Sequence, residues 1–135
     1  MNALYDSGRE SFLDGQISWT QNTIRVALVD TANYAVNLST DTWLSDIPSA
    51  AKVAISSPLS SKTVVGGIAG ADSAVFASVT GPTCEALVVY RDTGVSTTSR
   101  LIAYISSANG LPVNPTGSSI TVAWDTDSSK KIFKL

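Results

Sequence analysis

Short apolar segments alternate with turn residues along most of the chain, and this pattern limits the fold more than any other feature. From Gln16 onward the apolar residues follow the period of two that is typical of β-strands. Gly, Pro, Asn and Asp separate the segments, and no second stretch with a helical period lies between them. An α/β fold would need a helix after most strands. The pattern therefore predicts an all-β fold, either an antiparallel β-sandwich or a jelly-roll-like barrel.

The predicted strands cover most of the chain. Ile17 and Trp19 alternate with polar residues, and the apolar run 26–29 indicates a strand that is buried on both faces. The glycine-rich stretch 66–70 matches neither the dinucleotide-binding nor the P-loop spacing, and we predict a tightly turned or mobile loop there. Strands are predicted at residues 23–30, 51–56, 62–65, 74–79, 84–91, 100–106, 119–125 and 131–135.

Two short helical segments are predicted outside the strand pattern. Residues 2–14 read as a helix, with Leu4 and Leu13 near its apolar face, and residues 39–48 contain one helical turn that ends before Pro48. A helix as short as the first must pack on something, either its own domain or a neighbouring subunit. We predict that the N-terminal helix contributes more to assembly than to the fold.

Length and composition are those of one ordinary domain. The chain has 135 residues, of which 44% are hydrophobic, so it can bury a core. No shift in composition divides it. We therefore predict one β-rich domain over residues 1–135, with a helix or arm at residues 1–15 and a β-sandwich at residues 16–135.

Charge and residue usage exclude several classes of function. Nine Lys and Arg oppose eleven Asp and Glu, and this balance argues against nucleic acid as a partner. The apolar runs are too short for a membrane helix, and no secretory signal is evident, so we expect synthesis in the cytoplasm and no membrane partner. Histidine is absent, and the single cysteine, Cys84, reads as a buried small hydrophobe. We predict no metal, no cofactor and no catalysis.

Isolated matches to functional patterns have ordinary explanations. Ser49 and Lys52 have the spacing of a Ser-x-x-Lys pair, but they lie where a turn enters a strand. Residues 125–129 begin like a calcium loop but lack the later ligands. Glu85 interrupts an apolar strand, and we expect it to face solvent, opposite Arg100 on the next strand.

The three tryptophans are predicted to have different roles. Trp19 and Trp124 lie in strand patterns and read as core residues, whose indole N–H groups need partners. Trp43 lies in the short helical turn with Leu44 and Ile47, and this cluster either caps one end of the fold or forms part of a protein contact.

A carbohydrate-binding module is one alternative interpretation of the sequence. Such modules bind sugars on exposed, coplanar aromatic rings. Here Trp43, Tyr34 or Tyr90 would have to supply that platform. Burial of these rings would weaken the interpretation.

Several strand and turn segments carry a resemblance to known proteins. They are NALYDSGRESFLDG at residues 2–15, TIRVALVDTANY at 23–34, WLSDIP at 43–48, EALVVYRDTG at 85–94, SRLIAYI at 99–105 and LPVNPTG at 111–117. In their order along the chain, these segments resemble a family of small structural proteins encoded in tailed-bacteriophage genomes. The resemblance runs from Ala3 to Leu135 and contains no catalytic motif.

The resemblance implies a non-enzymatic component of the virion, made in the host cytoplasm. We expect a head decoration (cement) protein that binds the outer capsid lattice, with the major capsid protein and its own copies as partners in a homotrimer. A tail, baseplate or fibre module is the alternative within the same class, and no small-molecule substrate is expected. The residues predicted to form the protein contacts are Leu4, Tyr5, Phe12, Trp43, Leu44 and Ile47.

Overall fold

The computed structural model describes residues 2–124 and 131–135. These residues form antiparallel sheets with one short α-helix near the N-terminus, which confirms the predicted all-β class. A 3-10 helix at Leu44–Asp46 confirms the helical turn predicted within residues 39–48. The other elements are β1 (Asn2–Leu4), α1 (Asp6–Leu13), β2 (Ile24–Val29), β3 (Lys52–Ile55), β4 (Thr63–Val65), β5 (Ile68–Gly70), β6 (Ala74–Phe76), β7 (Ala86–Arg91), β8 (Leu101–Ile105), β9 (Ile120–Val122) and β10 (Lys131–Lys134).

The described strands form one large sheet and two small ones. The five-stranded sheet has the order β1-β8-β7-β2-β3, the three-stranded sheet has the order β10-β5-β4, and β6 pairs with β9. Each of these pairings is antiparallel. Strands that are distant in sequence therefore lie side by side.

The central strands of the five-stranded sheet are buried on both faces, as the apolar run 26–29 predicts. Val26 and Leu28 pack into one hydrophobic cluster, whereas Ala27 and Val29 pack into another on the opposite face. The first core includes Trp19, Val26, Leu28, Phe76, Leu87, Val89, Val122 and Phe133. The second core includes Tyr5, Ala27, Val29, Tyr34, Ile47, Val88, Tyr90 and Tyr104.

Different parts of the chain cover the two faces. The two small sheets and Trp19 contribute to the first core. The connection between β2 and β3 contributes Tyr34, Ile47 and Ala51 to the second core. Since both faces are covered, strands can be apolar at successive positions instead of strictly alternating.

The N-terminal segment differs from the predicted helix over residues 2–14. Asn2–Leu4 forms β1 and pairs with β8 at the edge of the five-stranded sheet. The Tyr5 N–H donates to the Ile102 carbonyl oxygen at 2.9 Å, and the helix begins only at Asp6. Backbone pairing with a sheet edge outweighs a weak helical preference, because propensity yields to tertiary contacts.

The helix packs on its own fold through small residues. Its buried positions are Ser7, Gly8 and Ser11, whereas Leu13, predicted on the apolar face, is 84% exposed. The short side chains let the α1 backbone approach β8 closely. Within residues 2–14, β1 therefore joins the five-stranded sheet, and α1 packs against β8.

Two local predictions are corrected. Ile17 and Trp19 are buried as predicted, but they lie in an irregular connection and not in a strand.

The stretch 66–70, predicted as a loop, holds a two-residue turn followed by β5. Gly66 and Gly67 have φ values of 59° and 78°, as in a type I′ hairpin turn, and glycine adopts them without strain.

The calcium-like stretch 125–129 lies outside the described residues, as does the end of the strand predicted over 119–125. The described part of that strand is shorter than predicted and pairs with β6.

Candidate interaction surfaces

The residues predicted to contact a partner are divided between core and surface. Leu4, Tyr5 and Ile47 are 6%, 0% and 1% exposed, so their side chains lie inside the fold. Phe12 is partly buried against the first core, and Leu44 against the second. Phe12, Trp43 and Leu44 are each partly exposed, and their contact with a partner stays a prediction.

Trp43 is held in place at the end of the five-stranded sheet. It forms a β-bridge with Arg100, and the Arg100 guanidinium carbon lies 4.6 Å from the centroid of the Trp43 ring. This is a cation–π geometry. The Asp46 carboxylate accepts hydrogen bonds from the N–H groups of Trp43 and Thr42 at 2.9 and 2.8 Å. These contacts fix the ring and the backbone of Trp43, and both predicted roles, the cap and the protein contact, stay predictions.

The aromatic platform that a carbohydrate-binding module needs is not formed by the three rings considered for it. Tyr34 and Tyr90 are 6% and 2% exposed. The remaining ring, Trp43, is stacked by Arg100. These positions weaken the carbohydrate-binding interpretation.

An apolar groove of about 230 Å³ opens between the helix and the three-stranded sheet. Phe133 stands at its centre, with its ring centroid 5.3 Å from that of Trp19 and 5.8 Å from that of Phe12. The Trp19 indole N–H donates to the Gly70 carbonyl oxygen at 3.0 Å, which fixes the ring. We call this site the hairpin groove; its lining residues are Phe12, Trp19, Val64, Gly67, Ala69, Phe133 and Leu135.

The hairpin groove ends at an open strand edge. β4 is the last strand of its sheet, and no other described strand pairs with its outer side. Val65 and Ile68 flank the two-residue turn and form a hydrogen-bonded pair, so the next pair, Val64 and Ala69, leaves the Val64 N–H and C=O directed outward. The side chain of Val64 thus lines the groove, and its backbone N–H and C=O groups are directed to the open side of β4.

The sequence contains a signal for this site that the loop prediction overlooked. A Gly-Gly pair between Val65 and Ile68 is a hairpin turn when apolar residues flank it on both sides. The groove itself depends on Phe12, Trp19 and Phe133 meeting in space, and no local pattern indicates that contact.

A buried chain of hydroxyl groups fixes the connection between β2 and β3. The Tyr34 hydroxyl donates to the Asp41 carboxylate at 2.6 Å, and the Tyr5 hydroxyl lies 2.8 Å from the Tyr34 oxygen. Burial is the main cause that raises the pKa of Tyr5 and the pKa of Tyr34 far above their ordinary value. Both phenols therefore stay protonated and act as structural hydrogen-bond donors.

The predicted pairing of Glu85 with Arg100 is wrong. The Arg91 N–H donates to the Arg100 carbonyl oxygen at 2.9 Å, so Arg100 lies opposite Arg91, at one end of β7. Glu85 precedes the other end of β7, where its N–H donates to the Val29 carbonyl oxygen. The register of the β7–β8 pair separates the two charges along the whole strand.

Cys84 is a buried residue of the first core, as predicted. Burial, with a smaller contribution from Glu85, raises the pKa of its thiol to about 11. Because the thiolate is the reactive form, a thiol of this kind is a poor nucleophile near neutral pH.

Metal and membrane signatures were sought among the described residues. No group of three or more His, Cys, Asp or Glu residues there is placed to hold a metal ion. No helix within the same residues is both long enough and apolar enough to cross a membrane.

No protein family in the comparison matches this chain, and no curated protein matches its sequence significantly.

Proposed function

We propose that this chain is a non-enzymatic structural protein of a tailed-bacteriophage virion and decorates the outer surface of the capsid. The similarity of its strand and turn segments to that class of phage proteins, from Ala3 to Leu135, supports this assignment. Its partners are the major capsid protein and further copies of the chain in a homotrimer. It is made in the host cytoplasm and functions in the virion.

The hairpin groove is the observation that carries the proposal. Apolar walls open to solvent, next to an unpaired strand edge, are unfavourable in an isolated protein and are typical of contact surfaces. If the groove receives a different part of the next copy, the contact is heterologous and can close into a ring. Self-association would thus bury Val64 and Leu135, which are both 56% exposed.

Decoration of a capsid requires binding and no catalytic step. A protein that binds only the assembled shell stabilises that shell by mass action. When several copies are joined in a closed oligomer, their individually weak contacts add through multivalency. A rigid β scaffold with one adhesive surface for its own copies and another for the capsid meets these requirements.

The mass of the purified chain in solution tests the self-association. We expect a trimer by native mass spectrometry and sedimentation, and we expect Val64→Glu to shift it to monomer, because a charge would enter the groove. Val95→Glu is the matched control, since Val95 is 54% exposed but lies outside the groove. A wild-type chain that stays monomeric at all concentrations, or equal effects of both variants, would contradict the proposal.

Immunogold labelling of particles produced by the encoding genome tests the position. Label on the heads supports decoration of the capsid. Label on the tails alone would overturn that assignment in favour of the tail, baseplate or fibre alternative. Unlabelled particles would contradict a virion role altogether.

A further inference from the structure

The connection between β8 and β9 is attached to two different sheets. At one end, the Asn109 N–H donates to the Ala123 carbonyl oxygen at 3.2 Å, in a β-bridge beside β9. At the other end, Val113 and Cys84 exchange two hydrogen bonds of 2.9 Å, close to the start of β7. β9 belongs to the two-stranded sheet and β7 to the five-stranded sheet. The connection therefore links these sheets, and we call residues 108–113 the clamp loop.

The clamp loop contains a tight turn with Asn109 and Gly110 at its centre. The Leu111 N–H donates to the Ala108 carbonyl oxygen at 3.2 Å, and this hydrogen bond closes the turn. Gly110 has a φ of 103°, in a region that glycine adopts without strain and that other residues rarely adopt. The turn therefore requires glycine at this position because of its backbone conformation.

The same turn leaves one main-chain nitrogen without a hydrogen-bond partner. The N–H groups of Asn109 and Leu111 both donate to carbonyl oxygens, but no described residue accepts a hydrogen bond from the Gly110 N–H. The Asn109 carboxamide likewise forms no hydrogen bond with the described part of the chain. Both Asn109 and Gly110 are exposed. A free amide nitrogen therefore follows directly after a free carboxamide, and both are open to solvent.

Two other asparagines have side chains that are held in place. The Asn22 side-chain oxygen accepts a hydrogen bond of 2.7 Å from the Ser18 N–H, and the Asn37 side-chain oxygen accepts one of 3.1 Å from the Ser39 N–H. Each of these asparagines precedes a residue with a side chain, whereas Asn109 is the only asparagine in the sequence that precedes glycine. Because glycine has no Cβ, nothing on the next residue hinders access to its nitrogen.

We propose that Asn109 is a site of spontaneous covalent modification, at which the folded chain converts asparagine to isoaspartate. The Gly110 nitrogen attacks the side-chain carbonyl carbon of Asn109, Cγ. The new N–Cγ bond closes a succinimide ring as the bond between Cγ and the side-chain nitrogen Nδ2 breaks. Nδ2 leaves as ammonia, and the proton lost by the Gly110 nitrogen is transferred to it through solvent.

Water then opens the succinimide ring at one of its two carbonyl carbons. In both cases the hydroxyl group of water bonds to that carbon, and the proton returns to the Gly110 nitrogen. Addition at Cγ breaks the N–Cγ bond and gives aspartate. Addition at the main-chain carbonyl carbon of Asn109 breaks the original peptide bond and gives isoaspartate, in which the main chain runs through Cβ and Cγ. Each product carries a carboxylate that the original chain lacks.

Isoaspartate changes the clamp loop in charge and in length. It adds a negative charge to a chain whose net charge is −2, and it lengthens the main chain by one carbon just before Gly110. The bridge between Asn109 and Ala123 lies at the point of insertion, and β9 places Val122 in the first core. We therefore expect the modification to weaken the attachment of the clamp loop to β9. The inference goes beyond the proposed function and uses no residue of the hairpin groove.

Ageing of the intact, folded chain tests the modification. After several weeks at physiological pH and temperature, peptide mass mapping should locate the conversion at Asn109 and find Asn22 and Asn37 unchanged. The rate should rise with pH, because the attacking nitrogen must lose its proton. An isoaspartate methyltransferase, which methylates isoaspartate and not aspartate, should label the main product. Conversion at Asn109 no faster than at Asn22, or aspartate as the sole product, would overturn the proposal.

Two variants test the role of Gly110 as the source of the nucleophile. Gly110→Ala should react at least about tenfold more slowly, because a Cβ hinders the nitrogen and restricts its backbone. Since this change also strains the turn, Asn109→Gln is the second variant. It keeps Gly110 but would have to close a larger and less favourable ring, so we expect no conversion at this position. Conversion of either variant as fast as the wild type would contradict the mechanism.

A third variant distinguishes reaction in the folded chain from reaction after unfolding. Tyr34→Phe alters the second core, whereas the clamp loop is attached next to the first. It should raise the unfolded population and leave the rate of conversion at Asn109 unchanged. A rate that rises with the unfolded population would show that the folded turn is not the reactive state, and would overturn the proposal.

Urea unfolding of the modified chain tests the consequence for the clamp loop. The added charge allows the aged, modified fraction to be separated by ion exchange, and we expect its unfolding midpoint at a lower urea concentration than that of the fresh chain. Asn109→Asp adds the charge without lengthening the main chain and should shift the midpoint less. Asn109→Gln, aged in parallel, is the control and should not change. An isoaspartate fraction as stable as the fresh chain would contradict this consequence.

Discussion

Gly8 of α1 lies directly against the backbone of Ile102 in β8. A Cβ atom added at Gly8 would stand 2.9 Å from both the Cα and the carbonyl oxygen of Ile102, closer than side-chain carbons normally approach backbone atoms. The neighbouring pairing of Tyr5 with Ile102 ties the start of the helix to the same place. The absence of a side chain at Gly8 is therefore what lets the helix rest on the sheet.

We predict that Gly8→Ala lowers the free energy of unfolding by about 1–3 kcal/mol, as overpacking does. The sign is informative, because the same change in an exposed helix stabilises it by about 1 kcal/mol. Denaturant unfolding measures the effect. Glu10→Ala, at an exposed position of the same helix, is the control and should change stability little. A stabilising effect of Gly8→Ala would show that α1 does not press on β8.

The hydroxyl chain of Tyr5, Tyr34 and Asp41 gives a second prediction. Tyr34→Phe removes the acceptor of the Tyr5 hydroxyl and one donor to Asp41, so a buried hydroxyl loses its partner. We expect a loss of about 1–3 kcal/mol in the free energy of unfolding. The double variant Tyr5→Phe/Tyr34→Phe should lose less than the sum of the single variants. Strict additivity in this double-mutant cycle would contradict the coupling.

Stability should fall at alkaline pH. Burial, with a smaller contribution from Asp92, raises the pKa of Tyr90 to about 12 from its ordinary value of 10.0. Between these values the folded chain holds a proton that the unfolded chain has lost, so the free energy of unfolding falls as pH rises. The stabilisation is fully present below pH 10 and is lost as pH approaches 12.

Urea unfolding at several pH values between about 9 and 12 measures this decline. Tyr90→Phe should make the decline shallower, and the buried phenols of Tyr5 and Tyr34 act in the same direction. Constant stability across this range would contradict the raised pKa values.

The sequence predicts the strands of the large sheet well, because their apolar runs are long. β2, β7 and β8 lie within the predicted ranges 23–30, 84–91 and 100–106. Each is long enough for its pattern to be read locally. The double-sided burial of β2 also follows from its sequence.

The very short strand β1 is not predicted from a local sequence pattern, and the reason is physical. β1 has three residues, and its strand character comes from hydrogen bonds to β8, which lies far away in the chain. Trp19 shows the converse case, since a period of two predicts its burial correctly although no strand forms. The local pattern of apolar residues predicts which side chains are buried more reliably than it predicts which backbone segments form hydrogen-bonded pairs.

The hairpin groove could not be predicted from the sequence, because it joins residues from opposite ends of the chain. Phe12 lies in α1 and Phe133 lies in β10, and the two rings meet in the groove. Which charges and rings meet depends on the order of strands in the sheets. The misplaced pairing of Glu85 with Arg100 has the same origin, a register that no local pattern specifies.

The pairing of β1 with β8 also has a consequence for how the protein is made. Asn2 lies opposite Ile105, and Leu4 lies opposite Ala103. During translation the N-terminal strand must wait until more than a hundred residues have been synthesised before its partner leaves the ribosome. Contacts this distant slow folding. The large sheet is therefore completed late, and until then the nascent chain exposes the unpaired segment that becomes β1 to other chains in the cell.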